Sequence, residues 1–321
     1  MGDGTEEVLP LDRRQSFFFY GKQQFWKILL MGIFTTLFFL PCLIWLYAMN
    51  YVKAQAISAL DQTSATYISD YSVVLLSSAL KTYLVLIPLV CVFFIGLSGL
   101  FHLIKNVCFY DDSSYSQYFI GIKNNWLNFT LWGIIAGLSL FILRFNVTYF
   151  TVSGLDSVIK GLFIGFAILQ FVLVAMATMY FVTGCVTYNY TFLQGVKNAF
   201  LLAFNGLFKN FIVTAAGLLP FVLVLFIPSP FQTIALSLLG LFYLGFLSLL
   251  WNCYCQSVYD KVINPQLGEQ YVGIGLRKDK PEMAHTLSVE CVSLCINPLL
   301  TYHFVFHWIL SAMRHQEPEL H

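Results

Sequence analysis

Charged residues are so sparse along this chain that the gaps between them predict its elements. A helix crosses the hydrocarbon core of a bilayer with about 20 apolar residues, and a charge at its centre costs at least ~2.5–3.5 kcal/mol on insertion scales. Charge-free runs therefore mark spans. They lie between Lys27 and Lys53, Lys81 and Lys105, Lys123 and Arg144, and Lys160 and Lys197. The first predicted span is centred on 28–49 and the fourth on 161–187. Between Lys209 and Asp260 fifty residues carry no charge. As one helix that stretch would reach about 75 Å, far more than a bilayer, so it must fold back. Pro228-Ser229-Pro230 is the predicted turn, because proline lacks an amide donor and disfavours helical geometry in the residue before it. Spans five and six are then 211–227 and 231–251.

The fold class that follows is all-α: a polytopic membrane protein, a six-helix transmembrane bundle occupying 25–260. It is flanked by an N-terminal segment, 1–24, and a C-terminal tail, 261–321, with an apolar segment at 291–313. Composition agrees, since 58% of residues are hydrophobic and only 10% charged. A soluble enzyme, a disordered chain and a secreted disulfide scaffold are thereby excluded. Cys42, Cys91, Cys185, Cys253 and Cys255 fall in or at the ends of apolar runs and read as small buried hydrophobes. A net charge of +1 offers no basic field for nucleic acid. With the N-terminus in the cytoplasm, twelve Lys and Arg lie inside and four outside (Lys53, Lys81, Arg144, Lys160), as the positive-inside rule requires. Trp26, Trp126 and Trp251 then fall at cytoplasmic helix ends, where an indole anchors with its N–H wet. Arg13-Arg14 precedes a run of about 22 apolar residues without a small-residue cleavage site, which reads as a retained first helix.

The connections carry the finer signals. The outer loop from Asn50 to about Thr82 is the longest within the bundle, and 71–80 within it reads either as an extension of the second helix or as a surface-lying helix. Gly121-Ile122-Lys123-Asn124 is expected in the inner loop between spans two and three. Gly195-Val196-Lys197-Asn198, 74 residues on, is expected between spans four and five. Each is followed by an aromatic residue, Trp126 or Phe200, which suggests two parallel copies of a unit of helix, inner amphipathic segment and helix. At these loops the sequence resembles the YesL-like integral membrane proteins of bacteria. The resemblance rests on Phe109-Tyr110-Asp111-Asp112 leading into Tyr118-Phe119-Ile120-Gly121-Ile122-Lys123-Asn124-Asn125-Trp126, and on Lys197-Asn198-Ala199-Phe200-Leu201-Leu202-Ala203. Pro41 and Pro88 in the early helices also fit. It covers roughly residues 20 to 262, and implies a bacterial plasma membrane and a helper role near a carbohydrate transporter.

The tail holds an unusual pattern. Cys291 to Met313 could be a seventh span, an interfacial segment or unstructured; its polar load and Pro298 favour the interface or a marginal span. Cys291, Cys295, His303 and His307 have the residue types and i,i+4 spacing of a zinc site. The seven-residue linker places the two pairs on different helix faces, so no metal is expected unless Pro298 bends them together.

Catalytic signatures are scarce. Gly96-Leu97-Ser98-Gly99 matches a rhomboid-type nucleophile motif, but no histidine base lies in the sixth span and small residues at this spacing serve helix packing. All six span centres lack Asp, Glu, Lys and Arg, which disfavours proton coupling. Gln170, Asn252, Trp132 and Trp251 are the polar side chains in the spans able to contact a sugar or lipid, or to act as interhelical glue. The function expected is thus non-enzymatic and cofactor-free, an accessory or assembly partner of a transport system. It would dock a transporter subunit through Asp111, Asp112, Lys123, Asn124, Trp126, Lys197 and Asn198. The alternative is a transporter in its own right for a neutral or amphiphilic solute.

Overall fold

The computed structural model describes residues 9–110, 114–224, 226–227 and 229–277. Asp111, Asp112 and the tail segment with Cys291, Cys295, His303 and His307 lie outside the described residues. Among the described residues six helices are long and apolar enough to cross a membrane, so the chain is an all-α polytopic membrane protein. They are α2 (Phe25–Ser58), α3 (Tyr67–Tyr110), α4 (Ser116–Val152), α5 (Ser157–Thr187), α7 (Leu207–Val224) and α8 (Ser229–Val262). Two shorter helices lie beside them, α1 (Arg13–Gln23) and α6 (Phe192–Asn205). A single turn, α9 (Asn264–Leu267), follows α8.

Every expected span is present, but the helices overrun the charge-free stretches. Helices continue beyond the hydrocarbon core into water, where a lysine costs little, so charge spacing marks the lipid-embedded part and not the helix ends. The 44 residues of α3 make it about 66 Å long at ~1.5 Å per residue. Residues 71–80 are therefore an extension of the second span, and the outer connection narrows to 59–66. Within it, Asp61 Oδ1 accepts from the Thr63 amide and hydroxyl at 2.9 and 2.7 Å, and these bonds hold its carboxyl below the usual range.

Close backbone approach at glycines organises the packing, as expected where lipid supplies no hydrophobic drive between helices. Gly32 on α2 faces Gly245 on α8, and a Cβ on Gly245 would collide with the Ile28 carbonyl oxygen. Along the α3–α4 seam, Gly133 and Gly137 lie against the backbone at Cys91 and Ile87. Gly96 and Gly99 of the rhomboid-like motif are also packing residues, against Phe38 and Tyr118, and the Ser98 hydroxyl donates to the Ile95 carbonyl at 2.6 Å. The aromatic core centres on Trp132, which stacks on Phe181 at 4.2 Å and donates from Nε1 to Thr178 at 3.0 Å. It is interhelical glue between α4 and α5. Cys42, Cys91, Cys185, Cys253 and Cys255 are buried free thiols, joined by Cys108.

The two loop tetrads are helical. Gly121–Asn124 lies inside α4 and Gly195–Asn198 inside α6, because the chain turns before each tetrad and a lone glycine does not break a helix. Both glycines do the same work: Gly121 seats against His102 and Ser98 of α3, Gly195 against Phe181 and Cys185 of α5. The two units differ afterwards. The first runs on as one helix; the second breaks at Gly206, where Asn210 fills the corner. Its Nδ2 donates to the Leu202 and Ala203 carbonyls at 2.9 and 2.8 Å, satisfying acceptors that a helix end leaves free. Its Oδ1 accepts from Tyr180 and Tyr254 at 2.6 and 2.8 Å.

Candidate binding site

At one end of the bundle a cavity of about 580 Å³ opens between α3, α5, α8 and the segment after α8. The sequence gives little warning of it. Its frame begins at Arg13, the first residue of α1, which is only 7% exposed and pairs through Nε with Asp260 (13% exposed) at 2.8 Å. Arg13 also donates to the Ile274 carbonyl at 2.9 Å and lies over the Phe109 ring. Asp260 accepts further from Asn264 Nδ2 at 2.7 Å and the Gly273 amide at 3.0 Å. These bonds fold residues 268–277 back across the helix ends. Gly275 makes this possible: its φ of +79° and its approach to the Cys108 carbonyl exclude a side chain. The Tyr20 hydroxyl, bonded to the Cys108 carbonyl at 3.2 Å, fastens α1 to the end of α3.

Polar groups and aromatic rings share the cavity wall. Lys105 of α3 donates to the Val186 carbonyl at 3.1 Å, and among the described residues no Asp or Glu lines the cavity. Tyr188 donates to Asn264 Oδ1 at 2.5 Å; burial, with Tyr190 and Asp260 nearby, raises its hydroxyl. Burial likewise pushes the Tyr190 hydroxyl up to about 12, against a hydrogen bond with Asn198 that lowers it. Asn198, expected to face a partner, thus turns inward to Tyr190. Lys123, Asn124, Trp126 and Lys197 are exposed, the first three on α4 and the last on α6.

A polar stripe descends from the cavity. Ser248, Asn252, Gln256 and Asp260 recur every four residues on α8, which puts them on one face. Gln256 borders the cavity, its Nε2 bonded to Thr187 at 2.9 Å and its Oε1 without a partner. One turn below, Asn252 is 1% exposed; its Oδ1 and Nδ2 reach no N–H, hydroxyl or carbonyl group, and only the Cys108 thiol, a weak partner, lies beside them. The stripe ends at Ser248, on the wall of a second, largely apolar cavity of about 220 Å³ bounded by Phe93, Phe94, Phe221 and Trp251.

Trp251 corrects an expectation. Trp26 is 76% exposed and suits an interfacial anchor, whereas Trp251 is only 9% exposed and packs against Gly217 of α7. The missing side chain at Gly217 lets the indole turn inward. Among the described residues no three His, Cys, Asp or Glu side chains converge as a metal site would need.

Comparison of the chain with protein-family models, with curated proteins and with solved structures finds no match in any of the three.

Proposed function

We propose that this protein is a transporter that admits a small polar or amphiphilic solute at the large cavity and passes it along α8 toward the membrane interior. The observation that carries this reading is the buried polar stripe with the Asn252 amide at its middle, met only by the weak thiol of Cys108. A buried amide so poorly matched costs roughly 1–3 kcal/mol, a cost that a purely structural bundle has no reason to retain. In a membrane span such a group serves either as interhelical glue or as a point on a solute path, and the cavity above it favours the path. The stripe joins a cavity with polar and aromatic walls to one with apolar walls, the sequence of environments an amphiphile needs.

The end bearing the cavity carries Arg13, Arg14, Lys22, Lys27, Lys105, Lys123, Lys197, Lys209, Lys261 and Arg277, and the opposite end only Lys53, Lys81, Arg144 and Lys160 among the described residues. By the positive-inside rule the cavity opens to the cytoplasm, and on the YesL-like motifs the membrane is a bacterial plasma membrane.

The test is reconstitution. Protein purified in mild detergent is surveyed by native mass spectrometry for retained solutes, and those found are loaded into proteoliposomes. Asn252→Leu, similar in volume and fully apolar, is expected to abolish flux while leaving the fold stable. Undiminished flux in that variant refutes the path.

The exposed Lys123, Asn124, Trp126 and Lys197 favour a second reading, an accessory subunit docking a transporter partner. Co-purification of a stoichiometric partner, lost on Trp126→Ala with Lys197→Ala and with no solute flux, would select it.

A further inference from the structure

We infer that the second, smaller cavity binds one unbranched acyl chain of a membrane lipid, taken from the leaflet on the side of the large cavity. This site exists whether or not a solute moves along α8. Its depth matches one leaflet. Along α3 the wall runs from Phe93, midway between Lys81 and Lys105, to Phe101, one turn short of Lys105. Those lysines bound the charge-free run, so the cavity reaches from the bilayer centre to one edge of the hydrocarbon. Along α8 the wall runs from Gly240 to Trp251, about 16 Å at ~1.5 Å per residue, which is half of a ~30 Å core. The cavity thus follows the helices, and with them the lipid chains.

Its width admits one chain. At ~30 Å³ for a group the size of water, 220 Å³ holds roughly seven such groups. Spread along the cavity they make a single file of methylenes, with no room for a second chain, methyl branches or fused rings. The wall offers such a chain nothing polar to satisfy. Leu97, Phe101, Leu244 and Leu247 form a buried floor. Thr178 already donates to the Val174 carbonyl at 2.8 Å and Ser248 to the Leu244 carbonyl at 2.9 Å, and Trp251 Nε1 is buried against Gly217, out of an occupant's reach. No free donor meets water or a polar headgroup here, whereas hydrocarbon gains dispersion contacts by filling the space. The mouth fixes the source. Phe39 and Phe93 on one side, and Leu218 and Phe221 of α7 on the other, are half-buried, while the remaining lining residues are buried. The cavity therefore opens sideways between α7 and the α2–α3 pair, where at this depth the surroundings are lipid chains.

The experiment places the full chain in nanodiscs of a phosphatidylcholine with linear saturated chains, doped with the same lipid carrying a diazirine midway along one chain. After illumination, labelled residues are located by mass spectrometry. Leu219, 51% exposed on the lipid face of α7, reports labelling by bulk lipid. Leu247, only 5% exposed but on the cavity floor, is expected to be labelled as well, and Leu249, 0% exposed and outside the cavity, to escape. Leu97→Phe and Leu244→Phe each grow a floor side chain into the cavity from a different helix. Each is expected to abolish labelling of Leu247 and leave that of Leu219, and one folded variant of the two suffices. A diazirine lipid with methyl-branched chains should label Leu219 and spare Leu247. Asn252→Leu, expected to stop flux, should leave the labelling of Leu247 intact, so the transport path and the lipid site fail separately. An unlabelled Leu247 in the wild type, undiminished labelling in a folded filled variant, or equal labelling by the branched lipid overturns the inference.

Discussion

Removing one member of the Arg13–Asp260 pair should destabilise the protein, and by unequal amounts depending on which member goes. Truncating one partner of a buried ion pair costs about 3–5 kcal/mol, because the other charge is left without compensation. The structure divides that range. After Arg13→Ala, Asp260 keeps the Asn264 side chain and the Gly273 amide, so its charge remains partly solvated by the protein and the cost falls near ~3 kcal/mol. After Asp260→Ala, the guanidinium keeps the Ile274 carbonyl and the Phe109 ring while its second terminal nitrogen, already unpartnered, stays so. Two donors are then unmet, and the cost should approach ~5 kcal/mol. Arg13→Met with Asp260→Leu removes both charges and should cost less than the two single changes together. Steric-trap unfolding in bicelles measures all three on one scale. Equal losses below about 0.5 kcal/mol in both single variants, the value of an exposed pair, would refute the claim that this pair is buried and organises the end of the bundle.

Three further outcomes are expected. Gly245→Ala forces a methyl group against the Ile28 carbonyl and should cost about 1–3 kcal/mol in the same unfolding assay, more than Gly161→Ala, which meets open space. Asn210→Ala strands two carbonyls and two tyrosine hydroxyls; loss of at least ~1 kcal/mol and protease cleavage near Gly206 should follow, and an unchanged protein would show that the corner needs no such clamp. Tyr190 should titrate near 12 by tyrosinate absorbance, with Tyr190→Phe identifying the signal. Because the unfolded chain releases this proton near pH ~10, the contribution is complete below that pH and lost between about 10 and 12, so alkaline unfolding should be shallower in Tyr190→Phe; a midpoint at the ordinary tyrosine value would contradict its burial.

How much of this was legible in the residues depends on the scale of the signal. Lipid is an exacting solvent, so the absence of charge located all six spans; the break between the last two lies between Val224 and Ser229, and Ser229 and Pro230 open α8 instead of forming the turn. Helix ends were poorly marked, since Lys123 and Lys197 sit comfortably on helices outside the hydrocarbon. The site was mostly hidden. Arg13 looked like one of many cytoplasmic cations because its partner lies 247 residues away, a pairing no local pattern encodes. The α8 stripe did leave a trace: Ser248, Asn252, Gln256 and Asp260 share one spacing, and only Asn252 attracted notice. Reading the polar positions of an apolar helix for four-residue recurrence, and not one by one, would have found it.

The contact between Arg13 and Asp260 has a consequence for how the chain threads the bilayer. Two residues 2.8 Å apart must lie on one side of the membrane, so the number of crossings between them is even whichever way the protein is oriented. Six helices between these residues satisfy that parity; five or seven would not. The hydrogen bond from the Arg277 amide to the Pro10 carbonyl imposes the same condition on the segments outside. Reporter tags placed just before Leu9 and just after Arg277 should therefore share a compartment, and any insertion error that skips one helix separates groups that the folded protein requires to touch.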